Sequence, residues 1–387
     1  GTLTAAAGSS STATDIFVAK YASDGSHVWS QRFGGTLSDG LLALSVAVSS
    51  ANAIVVSGDF NGTVDFGDGP RTTTTSGPAT EDVFVMVLEP TGAFRWVNTF
   101  GGPDRDTARA ADFDTSGNVV VTGQYTGTTS FGGTSFTSGG GTDVFVAKYN
   151  GSTGAHMVSR SFGGVGVNNS GYAIEVAGAS TYIGGSYSEA AVFGSLTPAS
   201  AFNSQDAFVV RLNGSTLLPI TGNFFGGLGQ ERVYGITADS SLRVTAVGHF
   251  SSTMDFGAGN VTSTGAIDAF VLGLNPDTTY RWVNTFGGAG NDIAYAVDVN
   301  PATRNVLVAG VLDGSVSNWN GGTSAGFGGR DSFRSGYNTS GVRISARRDG
   351  GSGVDVGYGV SINGGFTAYV GLFSGTASFS GSSLTSA

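Results

Sequence analysis

The sequence predicts an all-β fold made from six copies of one four-stranded unit. Three observations carry this. A strand opening Asp-x-Phe starts at Asp15, Asp82, Asp143, Asp206, Asp268 and Asp331, at intervals of 67, 61, 63, 62 and 63 residues. Phe-Gly-Gly follows 18 or 19 residues after each of the first five, at Phe33, Phe100, Phe162, Phe225 and Phe286, and the sixth copy has Asp349-Gly350-Gly351. Gly supplies 65 of 387 residues, whereas charged residues are only 12%. Matched positions at one long period mark a repeat architecture, and abundant Gly marks many turns.

Each copy contains four strand signals, A to D. In the second copy, A runs over 107–113 and B over 118–123, separated by the turn residues Asp114, Thr115, Ser116 and Gly117, which reads as a hairpin. Strand C is 143–149, with alternating apolar and polar residues. Strand D leads into Phe-Gly-Gly, as in 94–100. Between B and C lies an excursion built around Phe-Gly at Phe66, Phe131, Phe193 and Phe256; copy five has Trp319-Asn320 there and copy six Phe379-Ser380. The uncharged run from Gly40 to Gly58 carries Ser45, Ser49, Ser50 and Asn52 and reads as two strands rather than a membrane span. No segment sustains a 3.6-residue apolar period, so little helix is expected.

Four-stranded antiparallel units repeated six times imply a single six-bladed β-propeller spanning 1–387. A solenoid would need polar capping repeats, and the first and last copies are no more polar than the others. The chain starts with strands C and D (Asp15 to Phe33) and ends with A and B (Asp355 to Phe373). The last blade is therefore expected to combine both termini, which turns two raw edges into a paired ladder.

Asp-x-Phe-Val-Ala-Lys-Tyr (15–21 and 143–149) and Trp-x-x-x-Phe-Gly-Gly (29–35, 96–102 and 282–288) resemble the SBBP-type β-propeller repeat. So do Gly-Asn-Val-Val-Val-Thr-Gly (117–123) and Thr-Val-Asp-Phe-Gly (63–67). The resemblance covers nearly the whole chain. It implies a propeller of the kind common in secreted or surface proteins of bacteria, and no particular reaction. The copy starting at Asp331 departs furthest, lacking Val after Phe333 and Phe before Gly350.

Composition narrows the partners. Net charge is −10, with only two Lys, Lys20 and Lys148. No stretch clusters basic residues, which argues against nucleic acid and against docking on anionic lipid. Zero Cys excludes disulfides, thiolate zinc sites and thiol catalysis. The start at Gly1 rather than Met suggests processing, such as removal of a leader, or a trimmed chain.

The strongest candidate site is a set of polar residues just before strand A. Asp39, Asp106, Glu231, Asp292 and Asp355 each follow the second Gly of their pair by four residues, and Asn169 takes the place in the third copy. In a propeller these six would line one mouth of the channel, and several carboxylates together could bind Ca²⁺. The alternative is that each accepts backbone N–H bonds within its own turn. Gly322-Thr-Ser324-Ala-Gly326 matches a nucleophile elbow, but composition alone supplies about one such match and no strand-to-helix turn surrounds it. His27, His156 and His249 fall in different copies with no metal-ligand spacing.

Trp29, Trp96 and Trp282 recur four residues before Phe, a packing pattern, and Trp319 is expected to fill the gap left by its missing Phe-Gly. Candidate N-glycan acceptors are Asn61, Asn150, Asn168, Asn213, Asn260 and Asn338. Of these, Asn150, Asn213 and Asn338 share the C–D turn, where turn chemistry alone explains Asn.

The sequence therefore points to a non-enzymatic extracellular or cell-surface scaffold, structural or adhesive, with protein partners or self-assembly. The alternative is a carbohydrate-binding propeller, which should repeat polar and aromatic loop residues across blades; Trp319 has no such copies. A hydrolase or lyase at the channel mouth would need one blade to break the repeat with an acid, a base and a nucleophile. No cofactor is expected beyond the candidate Ca²⁺. Finally, Gly381-Ser-Ser-Leu-Thr and Gly1-Thr-Leu-Thr look like the same piece, and one ring seats one copy; the other is expected to be free or added to a neighbour's edge.

Overall fold

The computed structural model describes residues 14–35, 37–40, 44–75, 77, 80–188, 191–198, 204–319 and 322–386. Every regular element among them is a β-strand. The chain divides into two compact units: 1–181 with 190–197 and 212–219, and 182–189 with 198–211 and 220–387.

In the first unit, Ile16–Tyr21 and His27–Phe33 form a two-stranded sheet. Two four-stranded sheets follow: Leu44–Val48, Ile54–Phe60, Asp82–Leu88 and Phe94–Phe100, then Thr107–Phe113, Val119–Tyr125, Asp143–Tyr149 and His156–Phe162. In both, spatial order equals chain order and every neighbour is antiparallel. The third copy supplies Ser170–Ala177, Ser180–Tyr187, Asp206–Asn213 and Pro219–Phe225 in the same order, and the division of the chain falls within it.

The second unit repeats the pattern twice, with Arg232–Ala238, Val244–Phe250, Asp268–Leu274 and Tyr280–Gly288, then Ile293–Val299, Val306–Asp313, Arg330–Tyr337 and Arg343–Gly351. It ends in the two-stranded sheet of Val356–Asn363 and Phe366–Leu372. The expected A, C and D strands of the second copy and its flank fall at their expected limits, and strand B runs two residues beyond its expected end.

Strand C departs from the expected alternation. Every residue of Asp82–Leu88, Asp143–Tyr149 and Asp268–Leu274 is buried, on both faces of its sheet. The one cation this buries, Lys148, binds Asp114 at 2.8 Å and the Gly214 carbonyl at 2.6 Å. A buried ammonium without such partners would be strongly disfavoured.

The two glycines of each Phe-Gly-Gly do different work. A Cβ on the first (Gly101, Gly163, Gly287 or Gly350) would fall on the Asp carboxyl that opens strand C of the same sheet. That contact is why Asp-x-Phe and Gly-Gly travel together. A Cβ on the second (Gly102, Gly227, Gly288 or Gly351) would fall on a backbone carbonyl of the next excursion hairpin. The close approach lets that hairpin extend the sheet: Gly287 and Gly288 pair with Ser317 and Val316, and Gly350 and Gly351 with Ser378 and Ala377.

The excursion aromatic fills the space beneath. Phe66 stacks on Phe84 at 4.9 Å and Phe131 on Phe145 at 4.0 Å. Trp319 takes this position in its own repeat, 5.3 Å from both Phe286 and Phe333, so it is a core residue as expected. Trp96 donates Nε1–H to the Gly151 carbonyl at 2.9 Å, packing one repeat's strand D under the next repeat's C–D turn. Asn98, Asn223 and Asn284 add amide donors to the same kind of turn.

The C-terminal Ser382–Thr385 pairs with Thr376–Phe379 as an excursion hairpin, so it occupies the seat that two tail segments were expected to share. Residues 1–13 lie outside the described residues.

Candidate functional site

The six polar residues before strand A are each at most 2% exposed, and the five acids among them bond to backbone N–H groups, the second of the two roles expected for them. The physical reason is the turn that follows Gly-Gly. Asp106 accepts Gly102 N–H at 2.7 Å and Thr126 N–H at 3.1 Å. Asp39 accepts Gly35 and Asn61, Asp292 accepts Gly288 and Asp313, and Asp355 accepts Gly351 and Ser374. Glu231 accepts Gly227 at 3.3 Å. Each carboxyl thus clamps the end of strand D to the end of strand B, satisfying N–H groups that the sheet leaves open.

Each clamp lies beside a second acid, the Asp opening strand C of the same repeat. Asp82 accompanies Asp106 and Asp268 accompanies Asp292, while Asp206 is within hydrogen-bonding distance of Glu231. Burial pushes Asp39 up to about 6, Asp106 to about 7, Asp292 to about 6 and Glu231 to about 8, and the neighbouring acid adds to each shift. Burial also raises Asp82, Asp143, Asp268 and Asp331. Desolvation and a like charge both favour the neutral acid.

The pairing was missed in the sequence because the two acids stand 24 or 25 residues apart; that near-constant spacing in five of the six copies was the available signal. Among the described residues, no group of three or more His, Asp or Glu is arranged to hold a metal ion.

The remaining candidates are dispersed. Asn150, Asn213 and Asn338 each use Oδ1 to accept two turn N–H groups, the turn role expected for them. Asn61 is buried and donates to the Gly77 carbonyl, Asn168 accepts Thr142 N–H, and Asn260 is exposed. Ser324 ends the short strand Gly322–Ser324 rather than a nucleophile elbow. His249 is buried on strand B, where burial lowers it to about 4.

No protein-family profile matches the chain. The regulatory protein FlaEY of Caulobacter vibrioides is 24% identical over 342 residues, covering 81% of this chain and 35% of that protein. The chain thus spans about a third of the length of the curated relative it matches. Among solved structures, BamB from Moraxella catarrhalis aligns with a TM-score of 0.39 at 10% identity, over 87% of this chain and 83% of that one. A quinohemoprotein alcohol dehydrogenase from Pseudomonas putida HK5 gives 0.33 at 9% identity, over 84% and 67%. The rhamnogalacturonan lyase YesW gives 0.32 at 11% identity, over 94% and 68%.

Proposed function

We propose that the chain is a six-bladed β-propeller of the SBBP type that acts as a non-enzymatic extracellular scaffold, joining protein partners or copies of itself. The supporting observation is the fate of one aromatic column. Phe84, Phe145, Phe270 and Phe333 each face a strand B glycine, Gly58, Gly123, Gly248 and Gly310 respectively, and each is 0% exposed. Phe17 holds the same column in Ile16–Tyr21, a strand with no B partner among the described residues, and is 69% exposed. Phe366–Leu372 is a strand B with no C partner among the described residues, and its Phe366 and Val370 are 66% and 62% exposed.

In the complete repeats Phe60 stands opposite Asp82 and Phe250 opposite Asp268; the same register, applied to the two termini, would set Phe373 opposite Asp15 and Gly371 opposite Phe17. Strand addition at these matching edges closes the sixth blade from both termini, and between copies it builds an assembly. The distinctive polar residues of the repeat serve its turns, which favours a scaffold over a reaction centre.

The test uses the absence of native Cys. In a Val18→Cys/Val370→Cys variant, an intramolecular disulfide is the expected product. An intermolecular one places the same pairing between copies, and no cross-link overturns the register. Glycan-array binding that survives loss of this pairing would favour the carbohydrate-binding alternative.

A further inference from the structure

Six repeats bury the same pair of side chains, and they answer its charge in three ways. In the first and last copies an arginine stands across strand C from the Asp-x-Phe ring: Arg32 opposite Phe17 and Arg348 opposite Phe333. Arg32 Nη1 binds Asp15 Oδ2 at 2.9 Å, and Arg348 Nε and Nη2 reach Asp331 Oδ2 at 2.9 and 2.7 Å.

In the third copy the column holds Ser161, and the second acid is replaced by Asn169. Its Nδ2 reaches Asp143 Oδ1 at 3.3 Å and the Thr142 carbonyl at 3.4 Å. A carbonyl only accepts, so the amide nitrogen is the end that faces both.

The pairs Asp82/Asp106 and Asp268/Asp292 show neither device, while in the pair Asp206/Glu231 the donors to Asp206 are hydroxyls, Ser204 at 3.1 Å and Tyr187. The arginine column holds Thr99 and Thr285 in the first two pairs. The oxygen that Asn169 satisfies on Asp143 is buried with no hydrogen-bond partner on Asp82 and Asp268, and Glu231 Oε1 is likewise unpartnered; Asp331 Oδ1 is unpartnered too, but there Arg348 supplies a cation to the other oxygen. Two ionised carboxylates only accept, so nothing on either can fill that bond. A carboxylic acid can donate as the Asn169 amide does.

We propose that each of these three carboxyl pairs binds one proton between its two members, making the fold a proton-binding device that tightens in mild acid. The proton comes from solvent and converts one carboxylate to a carboxylic acid, whose O–H donates to the partner's unfilled oxygen. It belongs to the pair rather than to either residue.

Among the described residues, the charged and titratable groups near Asp106 and Asp292 are acids or phenols, and the nearby arginines are engaged elsewhere. Asp104 and Tyr125 lie near Asp106, Tyr187 near Asp206 and Glu231, and Asp313 near Asp292. Arg105 is engaged by Glu81, Arg232 by Gln205, and Arg330 by Asp313. The folded state holds protons that the unfolded acids release near their ordinary values of 3.8 and 4.5. Its extra stability is therefore complete below those values and is lost as pH rises through about 6 to 8. The inference stands whether or not the scaffold reading holds.

Denaturant unfolding of the full chain from pH 5 to pH 9 is the test. Wild type is expected to weaken from pH 5 toward pH 8, by about tenfold in folding constant per pH unit for each pair while the pH lies between its unfolded and its folded value, and to level off above that. Asn169→Asp builds a fourth pair, so it should be nearly silent at pH 5 and add its own loss at pH 8.5. Thr99→Arg installs the first copy's cation and should flatten the contribution of Asp82/Asp106. Equal loss by Asn169→Asp at both pH values overturns the proposal, and so does a wild type flat from pH 5 to 8.5. Recovery of stability at pH 8.5 on adding Ca²⁺ also overturns it, in favour of a cation site. If Thr99→Arg fails to fold, Asn169→Asp and the wild-type profile still decide.

Discussion

Phe84 and Phe17 are the same residue of the same repeat, and their surroundings differ by one strand. Phe84 stands opposite Gly58 and stacks on Phe66 with no exposed surface, whereas Phe17 has no strand B across from it among the described residues and is 69% exposed. An Asp-x-Phe strand is thus half of a socket, and a strand B carrying Gly is the other half. The difference teaches that the repeat's unit of stability is the B–C pair rather than the A–B or C–D hairpin. A lone two-stranded hairpin is marginal in water.

The largest effect tests that comparison directly. Phe84→Ala should cost about 3–5 kcal/mol, the usual range for emptying a buried Phe site. Phe17→Ala should approach the same loss once its strand is paired, and a change within about 0.5 kcal/mol would mark Phe17 as a surface residue. Chemical denaturation of the two variants side by side gives the answer.

Gly101→Ala comes next, because the new methyl would fall on the Asp82 carboxyl. About 1–3 kcal/mol is expected from such overpacking. Gly117 has open space around it, so Gly117→Ala should show only the strain of its positive φ of 77°.

Trp96→Phe should lose about 1 kcal/mol for the bond from Nε1 to Gly151. Trp282 sits at the same repeat position, but its buried Nε1 has no hydrogen-bond partner. Trp282→Phe should therefore cost less than Trp96→Phe, and the reverse ranking in melting temperature would break the comparison.

The smallest effect is at the acid end of the pH profile. Hydrogen bonds from Lys148 and Arg243 help hold Asp114 and Asp239 below the usual carboxylate value. Their contribution is present above about 4 and fades as pH falls further. With the carboxyl pairs weakening the fold as pH rises from about 4 to about 8, maximal stability is expected near pH 4, read from the unfolding midpoint.

The sequence carried the strand layout because its signals are local. Asp143–Tyr149 and Thr107–Phe113 begin at an acidic or hydroxyl turn residue and end before the next turn, so their limits could be read directly. Trp319 was legible for another reason: it replaced a missing Phe at a known repeat position. The acids were harder. Asp106 sits four residues past a Gly pair, and that spacing fits a channel lining and a turn clamp equally; only the three-dimensional approach of strand B separates them. The amide of Asn98 was not singled out because its acceptor, the Gly154 carbonyl, lies in another repeat. Cross-strand pairs such as Thr63–Thr72 and Thr128–Thr137 depend on hairpin register that the excursions' irregular lengths concealed.

The glycine pair at the end of strand D also sets an order of events during synthesis. Gly287 and Gly288 acquire their last ladder partners from Val316 and Ser317. Those partners leave the ribosome after the repeat's own four strands are already made. A growing chain therefore always carries one repeat whose final latch has yet to emerge. Each newly made excursion hairpin locks the repeat before it, so folding advances like a zip whose slider trails the exit tunnel by half a repeat. A pause in translation within an excursion would leave a longer-lived open strand end than a pause anywhere else in the unit.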